Sequence, residues 1–256
     1  MHYSWPSRMA NVVRKWKRWM AVGCSHGHLA DQALLRQVLA FNERFKPSLT
    51  IHLGDAIDLA CLRGGAGGTA DEACDPEGDL HDGLAFLSQL QPQVYLLGNH
   101  EARLVHLMSS PKAIVAALAC RVYQQIQDRA KELKCKVIDY DFQNGWFPFG
   151  DALAGHGYMV NEAAVRDHAE AICTGTHTKV VIAHLHRVTQ AEGRNRAHPT
   201  GYCVGWLGDK ALATYAANRR ATTSWSRGFA WGEYTDNETQ IWLAKETKSQ
   251  TFRLPL

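Results

Sequence analysis

Five short segments hold most of the side chains in this sequence that could do chemistry together. They are Cys24-Ser25-His26-Gly27-His28, Gly54-Asp55-Ala56-Ile57-Asp58, Gly98-Asn99-His100-Glu101, Gly155-His156-Gly157 and His184-Leu185-His186. Imidazole, carboxylate, amide oxygen and thiolate are the side-chain groups that ligate transition metals. A lone histidine is more often a satisfied structural residue. Five segments with the same local setting make a metal site the natural hypothesis.

The setting is supplied by the elements in front of them. Apolar runs bounded by Gly, Asp or Asn predict strands at Trp19–Cys24, Leu49–Leu53, Val94–Leu97, Lys136–Ile138, Leu153–Gly155 and Lys179–Ala183, with later ones at Tyr202–Leu207, Phe229–Tyr234 and Gln240–Ala244. Each of the five segments lies at or just after the end of one of these runs. In α/β sheets the crevice beyond the carboxyl ends of the strands is where ligands bind. Helical patterns fall between the early strands. Leu34, Leu35, Val38, Leu39, Asn42 and Phe45 make one face over 31–46, and Leu84, Leu87 and Leu90 make another in 79–91. Ser110-Pro111 opens one long helix or two over 111–134, and a further helix follows Asn161 and ends near Gly175. Strand–helix alternation followed by a strand-rich last third predicts a layered α/β domain whose late strands complete a second sheet.

The 256 residues are 46% hydrophobic and 21% charged, the balance of an ordinary globular chain. The net charge of +3 is unevenly placed: residues 1–20 carry five bases and no acid, leaving 23 bases against 25 acids in the remainder. Seven cysteines without a C-x-x-C pair, and no apolar N-terminal stretch of signal-peptide length, point to a reducing cytoplasm. No apolar run approaches the 18 or so residues of a membrane span.

The order of the segments, a cysteine at the place of an (Asp)-x-His, then Gly-Asp-x-x-Asp, Gly-Asn-His-Glu, Gly-His and a final His-x-His, resembles the calcineurin-like metallophosphoesterase family over residues 22–186. The resemblance implies one domain over 1–256, a four-layer sandwich of two mixed β-sheets flanked by helices, and a two-metal centre of Mn, Zn or Fe. Carried over by position, Asp55 would bridge the metals. Cys24, His26 and His186 would complete one site, and Asn99, His156 and His184 the other. His100 would act on the phosphoryl group or the leaving oxygen, with Asp58 orienting its ring. The implied reaction is hydrolysis of a phosphomonoester or phosphodiester by a metal-bridging hydroxide. Ala183 stands where the family has glycine before the last His-x-His. Leu59-Ala60 stands where its protein phosphatases have arginine and glycine, which counts against a protein substrate.

Cys24 is the main departure. As a nucleophile it would need arginine at position 30, where Ala30 stands. A ligand thiolate would keep the charge of the replaced aspartate while favouring Zn or Fe over Mg. An inert core cysteine is the bland alternative. His28 and Arg103 are candidate substrate contacts, and the helical insertion at about 102–134 could cap the site. The basic, aromatic segments 14–19 and 219–227 (Arg14, Lys15, Lys17, Arg18; Arg219, Arg220, Arg227) could hold nucleic acid, which keeps a nuclease in view. A non-catalytic binding module is the alternative from another class; His100 and six of seven ligand types argue against it. The Gly-rich stretch 64–68 and the acidic stretch 71–82 read as a mobile surface loop leading into a helix.

Overall fold

The computed structural model describes residues 15–213 and 220–254, so Arg14 and Arg219 lie outside the described residues. Two mixed sheets face each other. The first has the order β11-β10-β1-β2-β3-β4, from β1 (Lys17–Val22), β2 (Leu49–His52), β3 (Val94–Leu96), β4 (Lys136–Ile138), β10 (Gly228–Tyr234) and β11 (Thr239–Lys245). The second has the order β5-β6-β7-β9-β8, from β5 (Phe147–Phe149), β6 (Ala152–Ala154), β7 (Lys179–Ile182), β8 (Val188–Glu192) and β9 (Thr200–Val204). Strands β1 to β4 pair in parallel, as do β6, β7 and β9. Their carboxyl ends therefore share an edge in each sheet.

The central strands have no polar face because both faces are covered. In β1, Trp19 and Ala21 enter the core between the sheets with Ile51, Val94, Ala154, Val181 and Val204. The alternate residues Met20 and Val22 pack against α1 (Gln32–Phe45) through Leu34, Val38 and Phe41. Next to α1 lies α2 (Pro76–Leu90), and α3 (Asn99–Leu107) and α4 (Ala113–Glu132) pack on the same outer side. The far side is covered by α5 (Ala164–Ile172) over Val180, Ile182 and Cys203. This is the helix–sheet–sheet–helix sandwich expected. The helical stretch after Gly-Asn-His-Glu is the crossover that lets β4 run parallel to β3.

Two strands escape sequence reading, β5 and β8, and both are edges of the second sheet. Edge strands expose one backbone rim and much of their side-chain surface, so apolar patterning fades: β8 reads Val-Thr-Gln-Ala-Glu, and β5 carries Pro148, which an edge tolerates. The acidic stretch differs from a plain surface loop. Asp75 caps α2 by accepting from the Glu77 N–H, Asp71 pairs with Arg63, and Asp79 is wholly buried.

Candidate metal centre

The five segments converge between the two sheets at their carboxyl edges. From the first sheet come Cys24 and His26 after β1, Asp55 and Asp58 after β2, and Asn99 and His100 at the start of α3. From the second come His156 after β6 and His184 and His186 after β7. Cys24, His26, Asp55 and His186 each place a ligand atom within 4.8 Å of the others, and Asp55, His156 and His184 do the same. Asp55 belongs to both groups.

Five of these residues, Cys24, His26, Asp55, His184 and His186, have left-handed backbones with φ between 53 and 57°. Such conformations cost on the order of 1 kcal/mol or more for a non-glycine residue and cluster where function holds them. The Gly54 and Gly98 loops touch: a Cβ on Gly54, whose φ is 97°, would sit 2.6 Å from the Gly98 nitrogen. Two buried carboxylates brace these turns. Glu101 accepts from the N–H groups of Asp55 (3.0 Å), Ala56 (2.8 Å) and Gly98 (2.8 Å) and from the Tyr95 hydroxyl (2.7 Å). Asp79 accepts from the N–H groups of His28 (3.0 Å), Asp58 (2.9 Å) and Leu59 (2.7 Å) and bonds the His28 ring at 2.7 Å. Glu101 lay inside a quoted motif without a role, and Asp79 inside the acidic run. Nothing in charge patterning tells which carboxylate of such a run turns inward.

Hydrogen bonds on the outer ring nitrogens decide where the inner lone pairs point. His156 donates from Nδ1 to the Leu53 carbonyl at 2.7 Å. Its Nε2 then faces Asp55 Oδ2 at 3.2 Å, Asn99 Oδ1 at 3.0 Å and His184 Nδ1 at 3.2 Å. His26 donates from Nδ1 to Asp58 Oδ1 at 3.0 Å, leaving Nε2 3.0 Å from His186 Nε2 and 4.0 Å from Asp55 Oδ2. The other nitrogen of His186, Nδ1, is buried with no partner among the described residues. Acceptors facing acceptors repel unless protons or a cation lie among them. Ligands about 2.1 Å from one ion would be about 3.0 Å apart at 90° and about 3.4 Å apart in a tetrahedron. The short spacings match such edges, so the donor set fits metal ions.

The protonation pattern has the same origin. Burial alone would raise the Asp55 carboxyl, but His156 and His100 beside it hold it well below the usual carboxylate range. Burial opposes charge on His26 and His156 too, yet Asp58 and Asp55 for the first, and Asp55 for the second, raise both rings above the ordinary value. Burial and the neighbouring His156 push His184 down to about 3, and burial and His26 push His186 well down. Burial, followed by the charge of Asp55, pushes the Cys24 thiol up. The Cys24 sulfur accepts from the His184 N–H at 3.2 Å.

Asp58 faces both His26 and His100. The Asp58 carboxylate is bonded to His26 and stands 3.4 Å from His100 Nδ1, whereas that nitrogen is 2.7 Å from the Asp58 carbonyl. Arg103, one turn further along α3, lies by the same backbone, with Nη1 3.4 Å from the Asp58 carbonyl and 3.3 Å from that of Leu59. His26, Asp58 and His100 make a third donor group; His28 belongs to none of the three, and its Nε2 lies 3.9 Å from Cys74 Sγ. Two tryptophans that sequence did not link to the site flank His186: Trp206 stacks on its ring at 5.1 Å and Trp225 meets it edge-on at 4.4 Å.

The basic segments lie at opposite ends of paired strands. Lys17 pairs with Tyr234 at the end of β1 far from Cys24, about 20 Å of strand away. Arg18 lies over the Phe45 ring. Arg227 sits at the site end but is engaged by Asp31 and Glu246. No helix among the described residues is long and apolar enough to cross a membrane.

No protein-family model and no curated protein matches the chain. Among solved structures it is similar to a hypothetical protein from Pyrococcus horikoshii OT3, at 10% identity over 91% of this chain and 89% of that one, with a TM-score of 0.49. It is also similar to Yfce, described as a phosphoesterase from E. coli, at 13% identity over 93% and 97% of the two chains and a TM-score of 0.43. A Vps29 mutant from Entamoeba histolytica aligns at 9% identity over 91% and 94%, again with a TM-score of 0.43. At such identities, what the site does has to be argued from its own side chains.

Proposed function

We propose that this chain is a metal-dependent phosphoesterase that hydrolyses a phosphomonoester or phosphodiester at a two-metal centre. The observation that carries the proposal is the convergence of lone pairs around Asp55, from two sides, at the edge lengths of coordination polyhedra. Cys24, His26, Asp55 and His186 would hold one divalent ion, and Asp55, Asn99, His156 and His184 the other. Metal ions held there supply Lewis-acid activation of water and neutralise phosphoryl charge.

The protein's own part follows from its hydrogen bonds. Donation to the Asp58 carbonyl keeps a proton on His100 Nδ1. His100 Nε2, 3.9 Å from Asp55 Oδ2, then faces the centre; with that nitrogen protonated as well, it can donate to a phosphoryl oxygen or deliver the proton to the leaving oxygen. Asp58 holds the His26 ring in the tautomer that turns Nε2 inward. Arg103 lies beside His100 along α3, within reach of a phosphoryl group.

The test is metal analysis of the purified protein, followed by assays with p-nitrophenyl phosphate, bis-p-nitrophenyl phosphate and single-stranded DNA. Two equivalents of metal and metal-dependent hydrolysis of at least one ester are expected. Bound metal with no hydrolysis would leave a binding module in its place. Cleavage of the DNA alone would make the chain a nuclease.

A further inference from the structure

A cavity of about 710 Å³ lies beside the second donor group, where β3 and β4 end over α3. Its lining includes the buried Leu97, the half-buried Tyr123 and Tyr140, and the exposed Val105 and Asp139. Two features tie it to the centre. Ala102 and His106, which line the cavity, share one face of α3 with the candidate ligand Asn99 by helix spacing. Tyr140 lines it as well, and its ring meets that of His156 edge-on at 5.7 Å. Tyr140 is fixed in place: it stacks on Tyr158 at 4.4 Å and donates its hydroxyl to the Gly157 carbonyl at 3.1 Å.

The cavity carries two carboxylates, Asp139 and Asp141, alongside His106, Asn144 and the Tyr123 hydroxyl. Asp141 Oδ1 is occupied by the N–H groups of Gln143 and Asn144, while the Asp139 carboxylate has no hydrogen-bond partner among the described residues. No lysine or arginine is among the described residues that line it. Aromatic walls, an apolar floor and the free Asp139 carboxylate suit a flat ring that donates hydrogen bonds, and the size is within the roughly 300–1,000 Å³ of small-molecule pockets. They do not suit a polyanion, because each further phosphate would meet Asp139 and Asp141 rather than a cation.

We propose that this cavity seats the organic group of the ester, and that the group is a neutral, ring-bearing hydrogen-bond donor of the nucleoside class. The proposal rests on the phosphoesterase reading for which bond is broken, but not for what the cavity binds. Direct binding separates the two. Adenosine and guanosine, titrated calorimetrically into the purified protein, should bind to the wild type. Binding should weaken by about tenfold or more in Val105→Trp, which fills the mouth from a 49% exposed position, and in Asp139→Asn, which removes the acceptor charge. In turnover, nucleoside monophosphates should be better substrates than methyl phosphate. Val105→Trp should lower kcat/KM for the nucleoside esters about tenfold more than for methyl phosphate. Nucleoside binding without hydrolysis of any ester would defeat the phosphoesterase reading and leave the subsite standing. Hydrolysis of methyl phosphate with no nucleoside bound, with binding equal in all three proteins, or with single-stranded DNA preferred over mononucleotides would overturn the subsite.

Discussion

The two halves of the centre are built on different principles. The half contributed by the first sheet contains the thiol, the carboxylates and the amide, and it is braced by polar groups. Glu101 and Asp79 between them receive six backbone N–H groups from the turns that carry Asp55, Asp58, His28 and Asn99. The half contributed by the second sheet offers only histidines, and these are held by a carbonyl, by packing and by neighbours across the gap. His186 packs with Trp206 and Trp225 in a cluster of three rings, and the Nδ1 it turns away from His26 has no partner among the described residues. The negative charge that attracts cations thus resides in the half whose shape is set by hydrogen bonds. The first half should therefore govern stability and total metal binding, and the second should tune affinity.

Asp55 is the point where the halves meet, so its loss should have the largest effect. Asp55→Ala should release metal from both positions and lower turnover on the order of 10⁴-fold, because grouped catalytic elements fail together. Retention of one full equivalent would mean that the carboxylate is not shared. Next in size is a matched pair of changes. Glu101→Gln replaces an all-acceptor group facing three N–H donors with one that must present its own N–H, and should destabilise the fold by about 3 kcal/mol. Trp206→Phe should cost about 1 kcal/mol, since it also removes an indole N–H that is buried without a partner among the described residues. It should nevertheless weaken one metal position by releasing His186. Urea unfolding with metal titration reads both, and equal stability losses would erase the distinction between the halves.

How much of this was legible in sequence follows from the same physics. Parallel central strands are buried on both faces and announce themselves as apolar runs, so the placement of all five polar segments at strand ends could be read directly. The edge strands β5 and β8 could not, because exposure erases the pattern. At the site, residue types were visible but partners were not: Asp58 reads as the residue that orients His100, whereas its carboxylate also bonds His26 at 3.0 Å. Asp79 hid among solvated acids, Trp206 hid among ordinary core aromatics, and Trp225 read as part of the basic, aromatic segment 219–227. Whether Cys24 ligates is a question about charge rather than placement, and it calls for substitution.

His100 and Cys24 sharpen the contrast within the first half. His100→Ala should keep both metals while turnover falls about 10²-fold, the usual scale of one acid–base contact. Loss of metal in that variant would make His100 a ligand instead. Cys24→Ala should weaken one metal only, whereas Cys24→Asp should keep two and shift preference toward Mn²⁺, since oxygen is harder than sulfur. With cobalt substituted, the wild type should show a thiolate charge-transfer band that both variants lack. Full occupancy of Cys24→Ala with unchanged spectra would return Cys24 to the status of a core residue.

The last comparison concerns acid, and it sets the halves side by side through one buried neutral histidine in each. In the first half, His52 accepts the Gly54 N–H on Nδ1 at 3.2 Å and reaches Ser25 Oγ from Nε2 at 3.3 Å; burial brings its pKa down to about 3. In the second half, His168 accepts the Tyr158 N–H on Nε2 at 2.7 Å and donates from Nδ1 to the Ala164 carbonyl at 2.6 Å; burial lowers its pKa as well. Protonating either ring would set N–H against N–H. Both folded pKa values lie below the unfolded value of about 6.5, so the unfolded chain takes up protons first as pH falls. The stability that depends on neutral rings is full above pH of about 6.5 and declines below it, for His52 at up to about 1.4 kcal/mol per pH unit until its folded pKa of about 3 is reached. Metal-free protein followed by urea unfolding between pH 7 and 5 should lose stability, and His52→Gln should flatten that slope more than His168→Gln. An unchanged slope in both variants would place the acid sensitivity elsewhere, in the histidines of the candidate centre.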